Sequence, residues 1–345
     1  MYQKTSVLVT GTGGGGVGEG IVKALKLNSQ KYRIVATDMD PMSATLWRVD
    51  KGYVVPPASD DSYARKLIDI CKREKIDAVI PGSVPELKKL SDIRTKFEKE
   101  DITLIISPKK VIDTCLDKLN AYDFMKRYGF SQPKTFGQDE SARAMSELDF
   151  PVFVKPRQGY GSRYTYTVRD EEELGLVMKY LTKNRIVFLV QECIAAEECT
   201  VGVVTAKSGK TLGSISMLRE LKSGFSHRMT VKDVKEARET AEELASKIGA
   251  QGPLNVQFFL ADEGPVVIEI NPRFSGTTPV RSAVGFNEVD AVLRDFLFDE
   301  QIPLKFSEGI IAIRYLDEVY ATTSALKELQ KRSFTETKGW KKRYF

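Results

Sequence analysis

Asn255-Val256-Gln257-Phe258-Phe259-Leu260-Ala261-Asp262-Glu263-Gly264-Pro265-Val266-Val267-Ile268-Glu269-Ile270-Asn271-Pro272-Arg273 is the stretch that carries the most information in this chain. It predicts two short strands joined by a turn at Asp262-Glu263-Gly264. Side chains alternate faces along a strand. Asn255, Gln257 and Phe259 therefore share one face of the first strand, and Val267, Glu269 and Asn271 one face of the second. With the hairpin centred near Glu263, Gln257 falls opposite Glu269 and Asn255 opposite Asn271. Oxygen-bearing side chains then gather beside Arg273. Mg²⁺ takes oxygen ligands and keeps substrate phosphates in its shell, and an adjacent arginine suits a phosphoryl group. An ordinary hairpin with a solvated polar face would carry the same pattern, so the stretch needs its surroundings.

The chain has 345 residues, more than one ordinary core holds, and two or three domains are expected. With 42% hydrophobic and 29% charged residues it has the composition of a globular protein. No apolar run approaches the ~18 residues of a membrane span. Met1-Tyr2-Gln3-Lys4-Thr5-Ser6 leads straight into an apolar strand, unlike a signal peptide. Cys71, Cys115, Cys193 and Cys199 lack CxxC spacing and suit reduced thiols in a cytoplasmic protein. His227 is the only histidine. This excludes multi-histidine metal sites and argues against a Ser-His-Asp triad. The net charge of +5 is mild. Lys331, Arg332, Lys338, Lys341, Lys342 and Arg343 crowd the end of the chain. They fit a solvated tail or an edge over a phosphorylated ligand, and no nucleic-acid-binding motif accompanies them.

Outward from the hairpin, residues 5 to about 110 alternate strand and helix patterns. Strands are expected at Ser6–Thr10, Arg33–Thr37, Asp77–Ile80 and Ile102–Ile106, with helices near Val17–Leu27, Asp61–Lys75 and Glu86–Glu100. That alternation implies a parallel sheet with helices on both faces. Residues 108 to 137 read as helical linkage, with a helix over Asp117–Tyr128 ended by Gly129. From 150 the pattern becomes strand-rich α+β. Strands are expected at Pro151–Lys155, Ile186–Gln191, Thr200–Thr205 and Thr211–Met217, and helices at Glu171–Lys183 and Lys235–Ile248. Gly249 suits the position just past the last helix.

Three further segments carry chemistry. Gly11-Thr12-Gly13-Gly14-Gly15-Gly16-Val17-Gly18 follows the first strand, opens a helix and satisfies GxGxxG, with Asp38 ending the next strand. This is the dinucleotide-binding pattern in its expected place, and NAD(P)-dependent oxidoreduction is a rival reading. Phe153-Val154-Lys155-Pro156-Arg157-Gln158-Gly159-Tyr160-Gly161-Ser162-Arg163 puts a lysine at the end of a strand and a glycine loop after it. Such a segment can cap phosphates, although no GKS or GKT marks a P-loop; a surface hairpin is the alternative. In Gln191-Glu192-Cys193-Ile194 and Glu197-Glu198-Cys199-Thr200-Val201, Glu192 and the Cys193–Ile194 backbone suit an adenine edge and Glu198 suits ribose hydroxyls. A solvated turn would explain Glu197-Glu198 equally well.

Taken together and in this order, these segments and the Asp117-Lys118 helix start resemble the ATP-grasp superfamily in its carbamoyl-phosphate-synthetase-like branch. The resemblance covers roughly residues 5 to 300. It implies an α/β plus α+β chain. Residues 1–110 would form a Rossmann-like N-terminal pre-ATP-grasp domain with a parallel sheet. Residues 111–305 would form a two-lobed ATP-grasp domain, its small lobe about 135–190 and its large lobe about 191–305. Residues 306–345 would close the fold.

The resemblance also implies roles. Lys118 and Lys155 would contact ATP phosphates under a lid of Gly159, Gly161 and Ser162. Glu192 and Ile194 would read adenine and Glu198 hold ribose. Gln257, Glu269 and Asn271 would hold Mg²⁺, with Mn²⁺ acceptable in its place. Arg273 and Lys155 would act on the transferring phosphoryl group. Gly13, Gly14, Glu86, His227 and Arg228 fall where the family meets its substrate. The implied activity is carboxylate–amine ligation through an acylphosphate, on small molecules, with no nucleic acid or membrane partner and a homodimer by family habit. A catalytically silent ATP-binding module is the other reading. The chain departs from complete carbamoyl-phosphate synthetases, which carry two such cores; this chain carries one and lacks a glutaminase-like cysteine–histidine arrangement.

Overall fold

The structure, a computed structural model, describes residues 4–28, 31–222 and 224–340. Met1 to Gln3 at the start, and Lys341, Lys342 and Arg343 of the basic end, lie outside the described residues. The first sheet is built from β1 (Thr5–Thr10), β2 (Tyr32–Asp38), β3 (Lys51–Val54), β4 (Ala78–Pro81) and β5 (Thr103–Leu104). These five run parallel. Alternation sorts their side chains into two cores. Val7, Val9, Ile34, Ala36, Ala78 and Ile80 enter one. Leu8, Val35 and Val79 enter the other, against Leu67 and Ile70 of the helix Tyr63–Glu74 and Leu87 and Leu90 of the helix Val84–Asp92.

The second sheet is small and antiparallel: β6 (Thr135–Gly137), β7 (Val152–Pro156), β8 (Tyr166–Val168) and β9 (Phe188–Glu192), in the order β6-β9-β7-β8. The helix Glu171–Lys183 covers it through Leu174 and Leu181. The third sheet contains β10 (Glu197–Thr205), β11 (Thr211–Lys222), β12 (Phe225–Val231), β13 (Gly252–Ala261), β14 (Gly264–Asn271) and β15 (Ile311–Ile313). Its order is β14-β13-β10-β11-β12-β15. The helix Lys235–Ile248 packs Ala237, Ala241, Leu244 and Ala245 on one face of it and ends at Gly249 with φ +74°.

The fold is thus the expected parallel α/β domain followed by antiparallel lobes. The first and third sheets share a core through the helices Val17–Leu27 and Glu288–Phe298. Two polar contacts fix that junction: Tyr32 donates to Asp290 at 2.6 Å and Asn287 Nδ2 to the Ala24 carbonyl at 3.2 Å. After β15 the chain returns through the helix Thr323–Arg332 to β16 (Phe334–Thr335), which pairs antiparallel with β3.

Several local expectations need correction. The helix expected near Glu86–Glu100 is two helices, Val84–Asp92 and Arg94–Glu98. Ile93 leaves helical geometry between them, and the Arg94 guanidinium is drawn to the carbonyls of Ile106 and Ser107. The strand expected at Ile102–Ile106 keeps only Thr103–Leu104, because it pairs with β4 alone. β11 runs on to Lys222 instead of stopping at Met217, and Phe225–Val231 is a further strand. Val267 does not share a face with Glu269. The β13–β14 register slips between Gln257 and Phe258, so Ile268 is an extra residue and Val267 turns into the core.

Candidate active site

A cavity of about 510 Å³ opens between the small sheet and the third sheet. Its floor is the hairpin β13–β14, where Gln257 pairs with Glu269 and Asn255 with Asn271, in the register expected from the turn. The bulge at Ile268 lets Glu269 and Asn271 face the cavity together while Val267 stays buried. Arg273 follows at once. Its Nη2 donates to Asn271 Oδ1 at 3.0 Å and its Nη1 to the Phe274 carbonyl at 2.8 Å, so the guanidinium is aimed by its neighbours.

Lys155 enters from the opposite wall at the end of β7. Burial pushes its ammonium down to about 8, against the pull of Glu269, and the charge of Lys118 adds to the depression. Burial likewise lowers the Arg273 guanidinium, with Glu269 opposing. Glu269 therefore sits in the field of two cations, yet its carboxylate makes no hydrogen bond or ion pair among the described residues.

Lys118 is placed by its helix start. Asp117 caps the helix Lys118–Arg127 by accepting from Leu119 N and Asn120 N, each at 3.1 Å. The same carboxylate takes Arg157 Nε at 2.8 Å. The cap thereby ties this helix to the loop after Lys155, and Lys118 Nζ reaches the Gly159 carbonyl at 3.2 Å. Gly159, Gly161 and Ser162 line the cavity from an exposed loop, with positive φ at Gly161 and Ser162. Glu192 and Ile194 line it at the end of β9, where Glu192 Oε2 accepts from Lys134 N at 3.0 Å. Glu198 lines it from β10.

The five residues expected near substrate are placed differently. The cavity is lined by Gly15, Gly16 and Val17 rather than Gly13 and Gly14. Glu86 is buried behind Ser83, which does line the cavity, and it accepts from Ser83 Oγ at 2.7 Å and Tyr63 OH at 3.0 Å. His227 and Arg228 lie on β12 outside the lining, where Arg228 pairs with Glu220 at 3.2 Å, while Ser226 lines the cavity. Lys331, Arg332 and Lys338 of the basic end are also outside it; Arg332 pairs with Glu328 at 2.9 Å and Lys338 with Asp50 at 3.5 Å.

The glycine-rich opening serves the backbone. A Cβ on Gly82 would stand 2.5 Å from the Gly18 Cα, and one on Gly18 would stand 2.4 Å from the Gly11 carbonyl oxygen, so glycine at both positions lets the backbone pack closely. Asp38 accepts from Gly13 N and Asp40 N and is buried. A Cβ on Gly11 would strike the Glu86 carboxylate. Asp38, the acid of the dinucleotide reading, is thus engaged by the protein's own backbone.

Four functional-looking residues escaped the sequence. Arg219 lines the cavity on β11, Nη2 at 2.7 Å from Gln257 Oε1 and 2.8 Å from Glu198 Oε2. Arg314, whose guanidinium donates to the Gly276 carbonyl, lines the cavity as well. Beneath the hairpin, Arg281 and Glu288 form an ion pair at 3.1 Å with both side chains 1% exposed. Arg281 Nη2 holds Asn255 Oδ1 at 2.6 Å, and Thr200 donates to the same oxygen at 2.9 Å. An arginine of this kind is visible in sequence only once strand lengths and register are known.

The donor set fits a hard cation. Glu269 supplies one uncommitted carboxylate, and Gln257 and Asn271 supply amide oxygens already approached by arginines. Among the described residues no cluster of three or more His, Cys, Asp or Glu could hold a metal. One carboxylate plus amides suits Mg²⁺ that keeps phosphate oxygens in its shell.

Comparison with known proteins agrees with this geometry. Residues 115–277 match the ATP-grasp domain family, and residues 7–105 match the PylC-like N-terminal domain family. The carbamoyl phosphate synthase large chain of Clostridium beijerinckii is 26% identical over 305 residues, 81% of this chain and 28% of that protein. The chain thus spans under a third of the length of such relatives. Among solved structures, the ADP complex of N5-carboxyaminoimidazole ribonucleotide synthetase superposes with a TM-score of 0.74 at 16% identity, covering 96% of this chain and 85% of that one. The biotin carboxylase domain dimer of Hydrogenobacter thermophilus 2-oxoglutarate carboxylase, in complex with MgADP, ADP and bicarbonate, superposes with a TM-score of 0.69 at 20% identity, covering 88% and 73%.

Proposed function

For a chain that belongs to the ATP-grasp superfamily, we propose an ATP- and Mg²⁺-dependent ligase that activates a carboxylate and joins it to an amine. The observation that carries this reading is Glu269: an uncommitted carboxylate on the cavity floor, in the field of Lys155 and Arg273. A cavity with cations around one free carboxylate is suited to a polyphosphate with its metal.

Lys118 and Lys155 hold the phosphates, and the exposed loop of Gly159, Gly161 and Ser162 lies over them. Glu192 and Ile194 flank adenine, and Glu198 takes a ribose hydroxyl. Glu269, Asn271 and Gln257 would hold Mg²⁺, which supplies charge neutralisation at the phosphates. Arg273, aimed by Asn271 and Phe274, faces the transferring group.

A substrate carboxylate oxygen attacks the γ-phosphorus and the bond to ADP breaks, giving an acylphosphate. The amine then attacks the acyl carbon. The carbon–oxygen bond to phosphate breaks, phosphate leaves, and the amine proton passes to solvent. The first step requires no histidine base, because positioning and charge neutralisation dominate phosphoryl transfer.

Hydroxylamine tests the intermediate. With Mg²⁺·ATP and a panel of carboxylates, the reading predicts carboxylate-dependent ADP release and a hydroxamate. Glu269→Ala should abolish both while leaving the unfolding midpoint of the free protein nearly unchanged. Tight ATP binding with no ADP released for any carboxylate and amine pair would count against ligation. The reading carries with it small-molecule substrates, a cytoplasmic setting and a homodimer, the last checked by light scattering.

A further inference from the structure

Arg219 lines the cavity with a buried donor, Nε, that no acceptor of the described residues satisfies. Its side chain is only 10% exposed and lines the cavity. Nη2 donates to Gln257 Oε1 at 2.7 Å and forms an ion pair with Glu198 Oε2 at 2.8 Å, a carboxylate oxygen that has no hydrogen-bond donor of its own. Nε is buried without a partner. A guanidinium carries five N–H groups in a rigid fork. One is spent on Gln257, and Nε finds no acceptor among the described residues. Unsatisfied buried donors are costly, and a charged acceptor is the group that satisfies such a fork best.

The position narrows that acceptor. Glu198 is on β10 and Gln257 on β13, on the sheet face that floors the cavity. Arg219 is the cross-strand neighbour of Glu198, one residue beyond the Cys199–Leu218 pair. It therefore bridges the ribose-side acid and the hairpin that ends in Arg273. The part of a nucleotide that spans from ribose toward the transferred group is its inner phosphates.

We infer that Arg219 binds a non-transferred phosphate of the nucleotide, bridging Glu198 and Gln257 as it does so. This rests on the ATP reading above. A merely structural role, in which Arg219 only neutralises and orients Glu198, makes a different prediction, because Glu198 would then act through ribose alone.

Calorimetric titration of the full chain with Mg²⁺·ADP, AMP and adenosine separates the two. Arg219→Gln should weaken ADP and AMP by at least about tenfold, the worth of a charge-assisted hydrogen bond, and adenosine by less than about twofold. Arg219→Lys should recover part of the loss, since it keeps the charge without the fork. It also serves as the folded comparison should the glutamine variant unfold. Glu198→Gln should weaken all three ligands alike. An equal loss for adenosine and ADP in the Arg219 variants overturns the assignment, as does ADP affinity that ignores Arg219. Absence of ADP binding by the unaltered protein overturns the nucleotide reading and this assignment with it.

Discussion

Lys155 stands between opposing influences: burial and Lys118 lower its pKa to about 8, and Glu269 raises it. Phosphate binds the protonated amine. Mg²⁺·ATP affinity should therefore be flat below about pH 8 and fall as pH rises through it, and Lys155→Arg should remove that fall because guanidinium stays charged. A titration series across that range checks it; an unchanged profile in the arginine variant would assign the pH dependence to another group. Glu86 titrates in the opposite sense. Burial raises its carboxyl to about 7, Asp38 adds to the rise, and hydrogen bonds from Ser83 and Tyr63 oppose it. Its folded pKa lies above its unfolded value of ~4.3. Its contribution to stability is thus fully present below that value and is lost as pH rises through about 7. Glu86→Gln should flatten the pH dependence of the unfolding midpoint between about pH 4 and 7 and leave the midpoint of the variant higher than that of the parent near pH 8. A loss of stability at every pH would contradict this.

At the scale of elements, the hairpin β13–β14 was legible because its turn residues fix its register, and register fixes which side chains meet. The bulge at Ile268 was not. A bulge is an extra residue absorbed by local pairing, and a two-residue alternation has no way to announce it. Arg219 was hidden for a related reason. A strand read as ending at Met217 stops short of the residue that faces Glu198, although alternation would have placed it had the strand been carried further. The helix Lys235–Ile248 was read to its last residue, because apolar spacing and Gly249 at positive φ both mark it. The buried pair Arg281–Glu288 could not be read at all, since its partners come together only when the helices Thr278–Ala283 and Glu288–Phe298 fold beneath the sheet. Breaking such a pair strands a buried charge, a loss of ~3–5 kcal/mol. Glu288→Gln should lower the unfolding midpoint by several degrees, read by calorimetry. It should also weaken Mg²⁺·ADP binding by loosening Arg281 on Asn255. A stability loss with binding intact would confine the pair to structure.

Across the whole molecule, the first and third sheets share one core, and the cavity lies where the small sheet faces them. The order of segments along the chain conveyed that architecture better than any one motif did. GxGxxG taken singly pointed to a dinucleotide, but Gly11 and Gly13 make room for the Glu86 and Asp38 carboxylates, and Asp38 is held by Gly13 and Asp40. The end of the cavity nearest the first sheet was the least legible part. It is assembled from Gly15–Val17, Gly82–Val84, Ser275, Gly276 and Arg314, which come from four distant stretches of chain. Thermal unfolding of the purified protein with Mg²⁺·ATP, Mg²⁺·ADP, NAD⁺ and NADP⁺ in parallel tests the central claim most directly. A ligand at ~100 times its Kd stabilises the folded state by ~2.7 kcal/mol. The account predicts a raised midpoint with Mg²⁺·ATP and Mg²⁺·ADP that shrinks in Lys155→Ala, and none with the dinucleotides. A midpoint raised by NAD⁺ or NADP⁺ alone would contradict it and return the function to the glycines of the first strand.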